Sequence, residues 1–169
     1  MELTPGSDVA LFRALHLATR QVTVGVERHL QSAAGISLSE YEILSALVTS
    51  PDQRARPREI GDMLGWEKSR TSHQITRMEK RGLLRRIDCD ADLRGTWVTL
   101  TDAGARAALV AEPAYVEAIG SELSHVATQE ERAAIANQLI EIGRDAAPES
   151  CQGEVAALEA SLRPAASTT

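Results

Sequence analysis

Residues 57–84, PREIGDMLGWEKSRTSHQITRMEKRGLL, decide the fold. Pro57 suits the first turn of a short helix over about 57–64, with Ile60, Met63 and Leu64 on one side. Gly65 and Trp66 break or bend the chain. A longer helix then runs roughly over 67–81, and Gly82 stands where a helix ends in a left-handed residue. Short helix, turn, longer helix is the helix-turn-helix pattern. With about 100° between successive residues, Thr71, Ile75 and Met78 share one side of the longer helix. Ser69, His73, Thr76 and Lys80 share the other, with Arg70 and Arg77 along one edge and Ser72 along the opposite edge.

That outer stripe has the chemistry of a major-groove helix. Small hydroxyls allow close approach, Arg and His can donate to guanine N7 and O6, and Gln74, at the margin, can make a two-point contact to adenine. Arg77 and Lys80 suit phosphates, which position a helix without reading sequence. A solvated amphipathic helix would carry a similar stripe, so the order of the elements matters. After Gly82, LLRRI and TWVTL read as two short strands, and CDADLRG between them reads as a polar turn. Helix, turn, polar-basic helix, glycine and charged hairpin is a winged helix-turn-helix. Arg94 on the hairpin tip can enter a minor groove, and Asp92 can hold its guanidinium by a charge-assisted hydrogen bond.

The charge distribution agrees. The chain has 169 residues and a formal net charge of −6. Residues 54–95 nevertheless carry eleven Lys/Arg against seven acids, while the remainder carries seven against seventeen. A basic segment in an acidic chain suggests a polyanion-binding surface. Hydrophobic residues make up 43% and aromatics 3%, which favours helices packed with small aliphatics over a β-sandwich. No apolar run approaches the roughly 18 residues of a membrane span. MELTPGSD lacks a signal pattern, so a cytoplasmic protein with no membrane association is expected.

Outward from this centre, Asp8 is placed to cap a first helix bearing Leu11, Leu15, Val22, Val26 and Leu30. Ser37 and Glu40 form a capping box for a second. SPDQRARP reads as a loop. Thr101 caps a helix over 102–123, in which Pro113 is placed to kink or divide the run. A further helix spans about 129–145, with Ile135, Leu139 and Ile142 on one stripe. GEVAALEASLR allows another short helix, and PAASTT reads as disordered. The fold class expected is mainly α with a small β-hairpin wing.

Residues 36–104 resemble the MarR family of bacterial transcriptional regulators. LSEYEILSAL, REIGDMLGWEKSRTSHQITRMEKRGLLRR and DLRGTWVTLTDAG carry the likeness in order and at the right spacing, and the flanking helices fit in number and length. The resemblance implies one domain over 1–169: dimerisation helices at 8–35 and 102–148, a winged helix-turn-helix lobe at 37–101 and a tail at 149–169. It implies that Ser69, Arg70, Ser72, His73 and Gln74 approach base edges, that Arg77 contacts the backbone, and that Asp92 and Arg94 form the wing contact. It further implies a homodimer on a palindromic double-stranded operator, nucleoid-associated when bound, more often a repressor than an activator. Small aromatic or phenolic effectors are typical of the family. Phe12, His16, Tyr41, Trp66 and Trp97 are the aromatic candidates for such a pocket, and each also has a plain reading as core. Two departures stand out. Leu93 occupies the place of a second wing arginine, and Glu67 stands where a Ser or Thr cap is common.

Two other readings compete. Cys89 lies beside the expected wing and could sense oxidants, although Asp88 and Asp90 oppose the effect of Arg86 and Arg94 on its pKa. The winged helix could also serve as a protein-interaction module. Neither cysteine, Cys89 or Cys151, stands in metal-ligand spacing. No phosphate-binding glycine loop, GxSxG or HExxH is present, so neither an enzyme nor a cofactor is expected.

Overall fold

The computed structural model describes residues 6–88, 96–124, 128–146, 156, 158–160 and 162. The element order is α1 (Asp8–Ala34), α2 (Leu38–Thr49), a 3-10 turn (Pro51–Gln53), β1 (Arg54–Ala55), α3 (Pro57–Leu64), α4 (Lys68–Lys80), β2 (Leu84–Asp88), β3 (Thr96–Leu100), α5 (Asp102–Leu123) and α6 (Gln129–Ala146).

The caps set the helix ends. Ser7 caps α1, its hydroxyl accepting from the Ala10 N–H at 3.2 Å. The expected cap, Asp8, is instead the first helical residue, where its charge still complements the helix dipole. The capping box of α2 forms as anticipated. Glu40 N–H donates to Ser37 Oγ at 3.2 Å, and Ser37 N–H donates to Glu40 Oε2 at 2.9 Å. Gly65 ends α3 at φ 62°, and Trp66 N–H donates to Gly61 O at 2.8 Å, which turns the chain into α4. Glu67 precedes α4 without a side-chain cap. Pro113 lies inside α5, which runs as one helix and is not divided there.

The sheet has three strands in the order β1-β3-β2, all antiparallel. β1 lies in the stretch that read as a loop. Two residues are too few to show alternation, and the pairing comes from elsewhere in the chain: Arg54 faces Thr99 and Ala55 faces Val98. Asp52 and Gln53, at φ 54° and 52°, make the turn that brings β1 alongside β3, and Thr99 Oγ1 donates to Gln53 O at 3.0 Å.

One core joins both halves. Leu30, Ile43, Leu44, Leu47, Ile60, Ile75, Met78 and Val98 are fully buried. The small residues Ala108, Ala111, Ala114 and Ala118 let α5 pack closely on the rest of this cluster. On α6, Ile135, Leu139 and Ile142 fall on one stripe as expected but stay 47%, 42% and 59% exposed. The described tail residues are helical, and Arg144 Nη2 lies 2.6 Å from Glu159 Oε1. The rest of the tail, PAASTT included, lies outside the described residues.

Candidate nucleic-acid interface

The inner face of α4 is Thr71, Ile75 and Met78, all buried. Gly61 of α3 permits the close approach, because a Cβ there would come within 3.0 Å of Thr71 Oγ1. This packing presents the other face outward. Ser69, Arg70, Ser72, His73, Arg77 and Lys80 are all exposed, the stripe expected from the spacing. The Arg70 guanidinium lies 3.8 Å from the centre of the Trp66 ring. Such stacking restrains a long cation and leaves its N–H edge free to donate.

Gln74 departs from the expectation. It is only 4% exposed, and its Oε1 accepts a hydrogen bond from Arg77 Nη2. It sits next to Ile75 on the inner half of the helix, so its carboxamide braces Arg77 rather than facing outward.

Not every cation of the basic segment belongs to this surface. Arg81 Nη1 donates to both oxygens of the buried Glu40 at 2.6 Å, and Nη2 donates to Gly35 O at 2.9 Å. Arg86 pairs with Glu79 and donates to Thr76 Oγ1 at 3.2 Å, tying β2 to α4. Arg54 and Arg56 stack over Trp97, 5.2 and 5.0 Å from the ring centre. These interactions join different elements of the fold, so a charge count could not separate them from the outward cations. The expected wing residues, Asp92 and Arg94, and the redox candidate Cys89 lie outside the described residues, as does Cys151.

The five aromatic candidates are not brought together. Phe12 is 69% exposed near the start of α1, stacked on His16 with ring centres 6.4 Å apart. Trp66 lies beneath Arg70 and Trp97 beneath two arginines. Of the five, Tyr41 alone lines the cleft between α2 and α5, a space of about 510 Å³. Its hydroxyl donates to Glu112 Oε2 at 2.7 Å, and its ring stacks on Tyr115 at 4.4 Å. Sequence spacing could not single out Glu112, because it lies 71 residues from Tyr41 in the chain.

Burial, followed by the nearby Glu112, raises the Tyr41 pKa well above its ordinary value, and burial with Glu42 and Glu112 raises that of Tyr115. A raised acid pKa holds its proton more tightly in the folded state. The stability it contributes is complete below the unfolded tyrosine value of about 10 and is lost as pH rises above it. Denaturant titrations at about pH 9 and about pH 11 will show that loss, and a Tyr41→Phe/Tyr115→Phe variant will show a flatter slope between them.

Among the described residues no cluster of three or more His, Cys, Asp or Glu is placed to hold a metal ion. No described helix is long and apolar enough to cross a membrane.

Residues 34–95 match the sequence model of the MarR family. Among solved structures the chain is similar to Sco3205 of Streptomyces coelicolor, a MarR family transcriptional regulator crystallised in complex with DNA. Identity is 27%, coverage 88% of this chain and 93% of that one, and the TM-score 0.77. A second regulator from that organism, AbsC, is 28% identical over 86% of this chain and 97% of its own, at a TM-score of 0.75. A mutant MarR from E. coli in complex with operator DNA, 19% identical over 79% and 94% of the two chains, shares the fold at a TM-score of 0.73. None of the curated proteins matches. Residues 34–95 thus carry the sequence pattern of the MarR family, and along most of its length the chain shares its fold with these transcriptional regulators.

Proposed function

We propose that the protein is a homodimeric repressor that binds a two-fold operator and releases it on binding a small ligand. The observation that carries this reading is the outward stripe of α4, with Arg70 braced on Trp66 and Arg77 braced by Gln74. In this reading Ser69, Arg70, Ser72 and His73 approach base edges in the major groove. Arg77 and Lys80 neutralise phosphates, and Asp92 and Arg94 serve the wing in the minor groove. Gln74 acts through Arg77 and not on a base. The DNA complex of Sco3205 supports this assignment by likeness.

One helix-turn-helix spans too few base pairs for useful specificity, and a dimer reads two half-sites about one helical turn apart. The lobe over 37–101 then reads DNA, and the helices within 8–35 and 102–148 join the two copies. The exposed stripe of Ile135, Leu139 and Ile142 supports that division, because a stripe of this kind on a regular helix calls for a covering surface. A repressor blocks promoter access by occupancy. A ligand coupling of about 1–3 kcal/mol would change operator affinity some 5- to 150-fold.

Footprinting on the DNA upstream of the gene, repeated across a salt series, tests the reading. Arg70→Ala will cost about 1–3 kcal/mol and relax specificity at one base pair per half-site. Lys80→Ala will weaken all sequences alike and reduce the salt slope by about one for each phosphate that is no longer neutralised. Binding that is indifferent to salt and to both substitutions would sink the assignment and leave a protein-interaction surface in its place.

A further inference from the structure

The sheet has two unlike faces. Val98 of β3 is buried, and the residues opposite it, Ala55 and Arg86, point the same way, to the core and to α4. The alternate residues point outward, away from the core. There Thr99 stands between Arg54 on β1 and Arg85 on β2, and Trp97 stands beside Ile87.

This outer face gathers positive charge in a chain of net charge −6. Arg54 and Arg56 stack on the Trp97 ring, which restrains both guanidinium groups and keeps them at the surface. Arg85 is exposed and, among the described residues, has no hydrogen-bond or ion-pair partner. The acids nearby counter little of this. Asp52 engages Nη2 of Arg54 at 3.1 Å, and Glu59 is spent on the Arg56 N–H at 2.7 Å. Like charges this close repel, and an acidic occupant relieves the repulsion. Ile87 and Trp97, both half-buried, add an apolar ledge beside the cations.

The face is turned away from α4, because Arg86, on the inner side of β2, is the residue that reaches Thr76 and Glu79. It also stands back from the wing tip. Arg85 and Thr99 lie three residues from Asp88 and Thr96, the strand ends that lead into the wing turn, or about 10 Å along the strands. DNA held by α4 and the wing tip therefore leaves the row of Arg54, Thr99 and Arg85 open.

We propose that this outer face docks a short acidic segment of a partner protein while the regulator stands on DNA. Arg54 and Arg85 are separated by two strand spacings, about 10 Å, and alternate side chains of an extended segment lie about 7 Å apart. Two flexible arginines close that difference, and each can grip a carboxylate through two N–H groups. An apolar residue of the segment lies on Ile87 and Trp97.

The test uses a fluorescein-labelled peptide, Asp-Glu-Leu-Asp-Glu-Phe-Asp-Glu, and its counterpart with every acid replaced by the amide. Fluorescence anisotropy is read with the full-length protein, alone and loaded with the upstream duplex of the footprinting assay. The acidic peptide should bind about tenfold more tightly than the amide peptide, and equally with and without DNA. Arg54→Gln/Arg85→Gln should weaken it about tenfold, the scale of two exposed charge pairs, and Arg85→Gln alone about threefold. Melting and the DNA footprint of both variants should match wild type, and Arg70→Ala should leave peptide binding unchanged. Displacement of the peptide by DNA, or its loss in Arg70→Ala, would place it on α4 and overturn the inference. A shortened footprint in the double variant would assign the face to flanking phosphates and overturn it as well. Equal binding of the two peptides, or no binding of the acidic one, would do the same. The arm without DNA does not depend on the proposed function, so docking and operator binding can fail separately.

Discussion

Gly104→Ala will destabilise the protein by about 3 kcal/mol or more, at the upper end of what overpacking costs. A Cβ at this position would stand 2.0 Å from the Leu83 carbonyl oxygen and 3.0 Å from its carbon. The obstacle is backbone, so no side-chain rotation can relieve it. The same oxygen also accepts from Thr101 N–H and Thr101 Oγ1, each at 3.1 Å. Moving α5 away would therefore break the bonds that tie its N-cap, Thr101, to Leu83, the same Thr101 whose Oγ1 accepts from Gly104 N–H at 3.0 Å. The glycine that ends the VTLTDAG stretch is thus the point where α5 crosses the start of β2. Thermal and urea melts will check the magnitude. Gly120→Ala, in the same helix with nothing within 4 Å of the new Cβ, should instead gain up to about 1 kcal/mol. Equal effects at the two positions would show that helix propensity, not the close approach, governs Gly104.

Removal of the Glu40 carboxylate should have an effect of similar size. Glu40 is 4% exposed and serves three partners at once: Arg81, the Ser37 N–H and the Ser37 hydroxyl. Glu40→Ala loses a capping box worth about 1 kcal/mol. It also leaves Arg81 without its carboxylate, and breaking a buried pair on one side costs about 3–5 kcal/mol. The Arg81 side chain is 47% exposed, so water offsets part of that loss and a total of about 3 kcal/mol is expected. Arg81→Ala should cost less, because Glu40 keeps its cap. The double variant should cost clearly less than the sum of the two. Strict additivity in a double-mutant cycle would refute the coupling. The pair also bears on DNA binding. It fastens the end of α4 to the start of α2 and, through Gly35 O, to the end of α1. Folded Arg81→Ala protein should therefore hold its recognition helix less rigidly and bind DNA more weakly than wild type in the footprinting assay.

The local sequence determined a good deal. The period of Thr71, Ile75 and Met78 set which face of α4 is buried, and so which residues face outward. Pro57, Gly65 and Gly82 marked the helix boundaries, and Ser37 with Glu40 and Thr101 with Gly104 marked two caps. These signals are legible because each acts over four residues or fewer, where covalent geometry and the helical repeat fix the outcome.

Only the tertiary structure decided the rest, because each outcome depends on how separate elements pack. β1 exists through its pairing with β3. Gln74 sits at the edge of a stripe by helical angle alone, and burial by neighbouring elements turned it inward to Arg77. Arg81 and Arg86 count as surface cations in a composition, yet partners at Glu40 and Glu79 make them structural. Among the five aromatic candidates the one that lines the cleft was set by α2 meeting α5, which also brought Glu112 to Tyr41 across 71 residues. A sequence carries the periodicity of each helix within itself, but which charges meet across a cleft depends on how helices pack. That packing is a long-range property no single segment encodes.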